Sequence, residues 1–134
     1  MSKIAYSGVV LDERSKNRLL KNFEDLIPED WEIIAHHMTI NMGEIAPEYE
    51  QYLGMPVPLI VESFGIDDKV AAVGVSGFPS KNDKGHITLA VNRKEGGKPV
   101  MSNNIEKWYS IKRPIQLVGK VREVPLNLEE QQVV

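Results

Sequence analysis

The sequence predicts an α/β chain of the α+β type, rich in strands and poor in helices. Alternation of apolar and polar residues recurs along the chain, as half-buried strands require. A sustained helical period occurs near the N-terminus. The two halves also echo each other faintly: each carries strands, one helix and one strand reading His-x-Thr. That echo predicts two lobes whose histidine faces meet in a groove. At 134 residues the chain is one domain, 1–134, with enough length for a real core.

In order, Ile4 to Leu11 reads as a strand. Asp12 can cap a helix over 13–27, whose inner face is Leu19, Leu20, Phe23, Leu26 and Ile27 and whose end is set by Pro28. Trp31 to Asn41 is a second strand. Alternation puts Ile34, His36, Met38 and Ile40 on one face and Ala35, His37, Thr39 and Asn41 on the other. Residues 43–58, with glycines, prolines and tyrosines, form an irregular connection with a helical turn at 47–53. Residues 57–66 and 69–77 make a hairpin around Asp67-Asp68. A polar loop leads to a strand at 86–92, where His86, Thr88, Ala90 and Asn92 share one face. Ser102 caps a short helix through Tyr109, with Ile105 and Trp108 inward. Residues 115–124 form the last strand, Pro125 ends it, and 125–134 is a tail.

Composition narrows the function classes. The chain is 42% hydrophobic and 26% charged, ordinary for a soluble globular protein. It shows no apolar run of membrane-spanning length and no signal-peptide pattern, so no membrane partner and a cytoplasmic location are expected. Cysteine is absent, which excludes disulfides and thiolate metal sites. The net charge of −3 argues against a grip on long nucleic acid, because neutralising phosphates needs a basic excess. A ligand bearing phosphate is then a small nucleotide or the end of a strand.

The chemistry lies in His37-Met38-Thr39-Ile40 and His86-Ile87-Thr88-Leu89. The chain has 3 histidines and only these two threonines, and both threonines stand two places after a histidine. In a shuffled chain both matches would arise less than about once in a thousand. On a strand, residues i and i+2 project from one face, roughly 6–7 Å apart, a span that a phosphate fills. The threonine hydroxyls can donate to phosphate oxygens. One imidazole can take a proton from the attacking oxygen while the other gives one to the leaving oxygen, and an ordinary histidine, titrating at about 6.5, can do either. His37 and His86 are therefore the candidate catalytic residues, and Thr39 and Thr88 the phosphate-binding ones. Lys81 and Lys84 are candidates to flank the phosphate, and Tyr6 to stack a base; the alternatives are a solvated loop and simple packing. The basic loop from Arg93 to Lys98 is a groove wall or a turn. His36, facing away from His37, is expected to pack near the core. That geometry argues against a metal site, so none is expected, and no cofactor either.

These motifs resemble those of the 2H phosphoesterase superfamily, whose members carry two His-hydrophobic-Thr/Ser-hydrophobic signatures. The surrounding residues are most similar to the cyclic phosphodiesterase domain of fungal and plant tRNA ligases: Ala35-His36-His37-Met38-Thr39, Gly85-His86-Ile87-Thr88-Leu89-Ala90, and Lys98-Pro99-Val100 followed by Ser102-Asn103 and Trp108. The compact phage anti-CBASS phosphodiesterases, which destroy cyclic oligonucleotide alarm signals, are similar in size and motif. The resemblance covers residues 4–124. It implies a bilobal fold with two antiparallel sheets and flanking helices around a central groove, catalysis by His37 and His86, phosphate held by Thr39 and Thr88, and no metal. The expected activity is hydrolysis of a small RNA-type phosphodiester: a 2′,3′-cyclic phosphate, a cyclic oligonucleotide messenger or a 2′–5′ oligonucleotide. A role in immune evasion fits the phage branch. The alternative expectation is a module that sequesters a nucleotide without turnover.

Overall fold

The computed structural model describes residues 3–126. Among these residues, seven strands and one α-helix carry the fold: β1 Ile4–Leu11, α1 Glu13–Phe23, β2 Glu32–Ile33, β3 His37–Met42, β4 Pro56–Ile66, β5 Val70–Ser76, β6 His86–Val91 and β7 Trp108–Pro125. The α+β class holds. The strands form one antiparallel sheet in the order β2-β6-β3-β1-β7-β4-β5, and β5 pairs again with β6. Six strands thus close into a barrel, with β2 appended to β6. This differs from the expected pair of sheets, and the reason lies in two strands. All six residues of β6 are buried, and it is paired on both edges. The 18-residue β7 pairs with β1 along one edge and β4 along the other, joining the two halves. Closure leaves those strand edges satisfied.

Alternate residues fill the main core, among them Val9, Met38, Ile40, Leu59, Val61, Val73, Ile87, Leu89, Leu117 and Val121. Helix α1 packs onto the same core. The Asp12 carboxylate accepts from the Ser15 N–H at 2.7 Å, as the sequence suggests, and Phe23 stacks on Phe64 with ring centroids 5.5 Å apart. The helix finishes in a 3-10 turn, Glu24–Leu26, short of Pro28. Residues 47–52 make a 3-10 turn, and Asp67 organises the β4–β5 hairpin by accepting from the Lys69 and Val70 N–H groups. A second apolar cluster, Ile34, Val70, Ala72, Val91 and Ile105 with Met101 and Trp108, is separate from the main core.

Three expected elements come out differently. The strand over 31–41 is broken: β2 and β3 flank a kink at Ile34-Ala35-His36, where Ala35 has φ +43°. Ala35 is fully buried, and its N–H and that of Ile34 still bond to Thr88 and Leu89 carbonyls, so β6 holds the kink in place. The helix over 102–109 is replaced by a 3-10 turn, Pro99–Asn104, followed by strand. Strand β7 starts at Trp108, because Trp108, Tyr109 and Ser110 pair with Gly65, Phe64 and Ser63. Pro114, with no N–H to give, falls in the stretch where that ladder changes register. At the other end, Pro125 is opposite Ile4 and Leu126 donates to the Lys3 carbonyl, so the chain stays paired that far. The rest of the expected tail lies outside the described residues. No helix among them is long and apolar enough to cross a membrane.

Candidate active site

The two His-x-Thr motifs meet through their central residues. Met38 of β3 is paired with Ile87 of β6, and both side chains are fully buried. Their neighbours therefore project from the opposite face of the sheet. The antiparallel register about that pair sets His37 on the side of Thr88 and Thr39 on the side of His86. The four polar groups line one cleft of ≈ 80 Å³ with Met42, Asn82, Pro99, Val100 and Asn103. Gly8 of β1 makes room for it: a Cβ there would stand 2.8 Å from the Met38 carbonyl oxygen and 3.4 Å from His37 Cδ2.

The two histidines are held differently. His86 Nδ1 lies 2.8 Å from the Lys84 carbonyl oxygen. A carbonyl only accepts, so Nδ1 carries the proton and Nε2 of the neutral ring is bare. Burial lowers the His86 pKa; the Lys84 carbonyl works against that shift, and the Lys84 charge adds to it. His37 Nε2 lies 3.1 Å from Thr39 Oγ1. Burial, then the charges of His36 and His86, push the His37 pKa down to about 3. Both rings are neutral in the resting protein near pH 7.

The threonines also differ. The Thr39 hydroxyl bonds to His37, inside the cleft. Thr88 donates to the Pro99 carbonyl at 3.2 Å and lies 2.8 Å from the buried Ser102 hydroxyl. Its single proton is thus engaged with the 99–104 turn.

The remaining candidates move from their expected places. Tyr6 is fully buried and stacks on His37, centroids 4.3 Å apart and planes at 21°, so it supports the His37 ring and offers no face to a base. Lys81 pairs with Glu48 at 3.2 Å. Lys84 sits 5.1 Å from the Trp108 ring centroid, in a cavity of ≈ 400 Å³ that adjoins the cleft through Asn82, His86 and Asn103. In the basic 93–98 loop, Arg93 pairs with Glu32 and Lys94 with Asp30. His36 does not turn away. It lies in the break between β2 and β3, with its Nδ1 2.9 Å from His37 Nδ1, beside the Tyr6 hydroxyl. Sequence reading missed this contact because it assumed unbroken alternation; the doubled histidine was its one visible signal. Ser102, expected to cap a helix, instead secures Thr88 from within the 99–104 turn.

Among the described residues, no group of three or more His, Asp or Glu side chains gathers in a way that could hold a metal ion. No family model and no curated protein matches the chain.

Proposed function

We propose that this chain is a metal-independent phosphodiesterase of the 2H type, cleaving a small RNA-type phosphodiester with His37 and His86 as base and acid. The observation that carries the reading is the convergence of both His-x-Thr motifs, about the Met38–Ile87 pair, on one cleft. The cleft is sized for a phosphate group, and the larger cavity beside it, walled by Trp108 and Lys84, suits the attached nucleoside. Two related strand motifs flank the cleft within one closed sheet.

Different hydrogen bonding supports different roles. His86 donates Nδ1–H to a carbonyl, a contact that favours its protonated form, and a bound phosphate anion favours that form further. His86 is the acid that protonates the leaving oxygen. His37, strongly disfavoured as an imidazolium, is the base for a water or a ribose 2′-hydroxyl. Thr39 donates to a non-bridging oxygen. Thr88 joins it once its bond to Pro99 is exchanged. That engaged hydroxyl is the one feature favouring the alternative, a nucleotide-sequestering module.

The test is a mass-spectrometric screen of 2′,3′-cyclic nucleotides, 2′–5′ oligoadenylates and cyclic di- and trinucleotides. Turnover of at least one class is expected, with His37→Ala and His86→Ala each lowering kcat by roughly 10²–10⁴ while remaining folded. Binding without turnover by the wild-type chain selects the sequestering module. Wild-type turnover in both variants overturns the acid–base assignment.

A further inference from the structure

We propose that His36 and His37 share one proton between their Nδ1 atoms, and that His36 is the positioning residue that carries the positive charge when His37 acts as base. The inference rests on the reading of His37 as base, but its first test does not require turnover.

The geometry sets the terms. The two Nδ1 atoms are 2.9 Å apart, and the rings meet at 79°. Two bare nitrogens at that distance would repel, and two N–H groups would clash, so one proton lies between them. The Tyr6 hydroxyl is 3.3 Å from one Nδ1 and 3.5 Å from the other, placed to donate to either. If His37 Nδ1 holds the shared proton, His37 Nε2 is bare and basic. If His36 Nδ1 holds it, His37 Nε2 carries hydrogen.

A proton step then balances without leaving charge on the buried ring. The O–H bond of the attacking water or ribose hydroxyl breaks, and N–H forms at His37 Nε2. The His37 Nδ1–H bond breaks, and N–H forms at His36 Nδ1. His37 ends neutral and His36 ends as the imidazolium. Burial makes His37 a poor place for charge. Both residues are half-buried by surface, but His36 borders a separate surface cavity of ≈ 400 Å³, lined also by Val10, Leu53, Gly54, Arg122 and Glu123. Water in that cavity can solvate the charge. The ionisable groups facing the pair are Tyr6 from β1, His86 from β6, and Arg122 and Glu123 from β7, the last two of opposite sign.

The first experiment is ¹⁵N NMR of the full chain labelled at histidine. A nitrogen–nitrogen coupling across the Nδ1–H···Nδ1 bond is expected. On acidification from about pH 8 to about pH 5, the His36 ring should take on imidazolium shifts before His37 does. Absence of the coupling, or protonation of His37 first, overturns the proposal whether or not a substrate has been found. The second experiment is kinetic, with any substrate the screen yields. His36→Leu should lower kcat by roughly 10–100-fold with little change in KM. His36→Asp, which can accept the proton, should restore most of the loss and move the acidic limb of the pH profile upward, since a carboxylate favours charge on His37. His36→Asn can accept a hydrogen bond but not the proton, and should restore less. Equal rescue by Asn and Asp reduces His36 to a spacer and overturns the charge-carrying role.

Discussion

At the scale of single residues, the site is asymmetric where its motifs are symmetric. Thr39 bonds to the His37 ring, whereas Thr88 is tied to Pro99 and Ser102. Replacing each by valine should separate catalysis from stability. Thr39→Val is expected to lower kcat with little change in unfolding midpoint. Thr88→Val strands the buried Ser102 hydroxyl and should cost about 1–3 kcal/mol in denaturant unfolding. The histidines give the pH dependence. His37 and His86 are held neutral in the fold, with pKa values below those of the unfolded chain. Above about pH 6.5 neither state binds the proton, and their contribution is level. As pH falls below that, the unfolded chain takes up protons that the fold refuses, so stability drops by up to about 1.4 kcal/mol per pH unit for each such ring. For His37 the loss continues down to about pH 3. Unfolding curves of the wild type and His37→Phe across this range should show the shallower pH slope in the variant.

At the scale of elements, β1 supports the site from beneath. It contributes Tyr6, which stacks on His37, and Gly8, whose missing side chain admits the Met38 carbonyl and the His37 ring. Gly8→Val should force β1 and β3 apart, lowering both the melting temperature and kcat, whereas a valine at the Gly43 turn, where a Cβ meets nothing within 4 Å, would strain only a local positive φ. Comparing the two variants by thermal unfolding and by turnover checks this. The kink before β3 matters as much. A straight strand would send His36 to the face opposite His37. Regular strand begins only at His37, so His36 is not bound by that alternation, and the two rings meet.

At the scale of the whole molecule, the cleft straddles the thinnest seam of the barrel. Strands β3 and β6 share one ladder pair, Met38–Ile87, whereas β1–β7 and β4–β7 are paired over long stretches. A phosphate bound between the two motifs would bridge that seam. Nucleoside monophosphate is therefore expected to slow amide hydrogen exchange in 37–42 and 86–91 more than in β4 and β7, and to raise the melting temperature with ligand concentration. Uniform protection across the barrel would place the ligand elsewhere.

Local patterning carried much of this into the sequence. Strand β1, helix α1 with its Asp12 cap, the β4–β5 hairpin and strand β6 all follow from periodicity, capping chemistry and turn residues, which act over a few positions. The pairing of each His with its Thr on one face follows from the period of a strand. What needed the tertiary structure was everything set by contacts distant in the chain. Closure into one barrel depends on β6 being paired on both edges and on β7 reaching two neighbours. The early start of β7 depends on β4 supplying partners that outweigh the break at Pro114. The His36–His37 contact belongs to the break between β2 and β3, where Ala35 takes an angle that alanine rarely adopts and packing against β6 holds it.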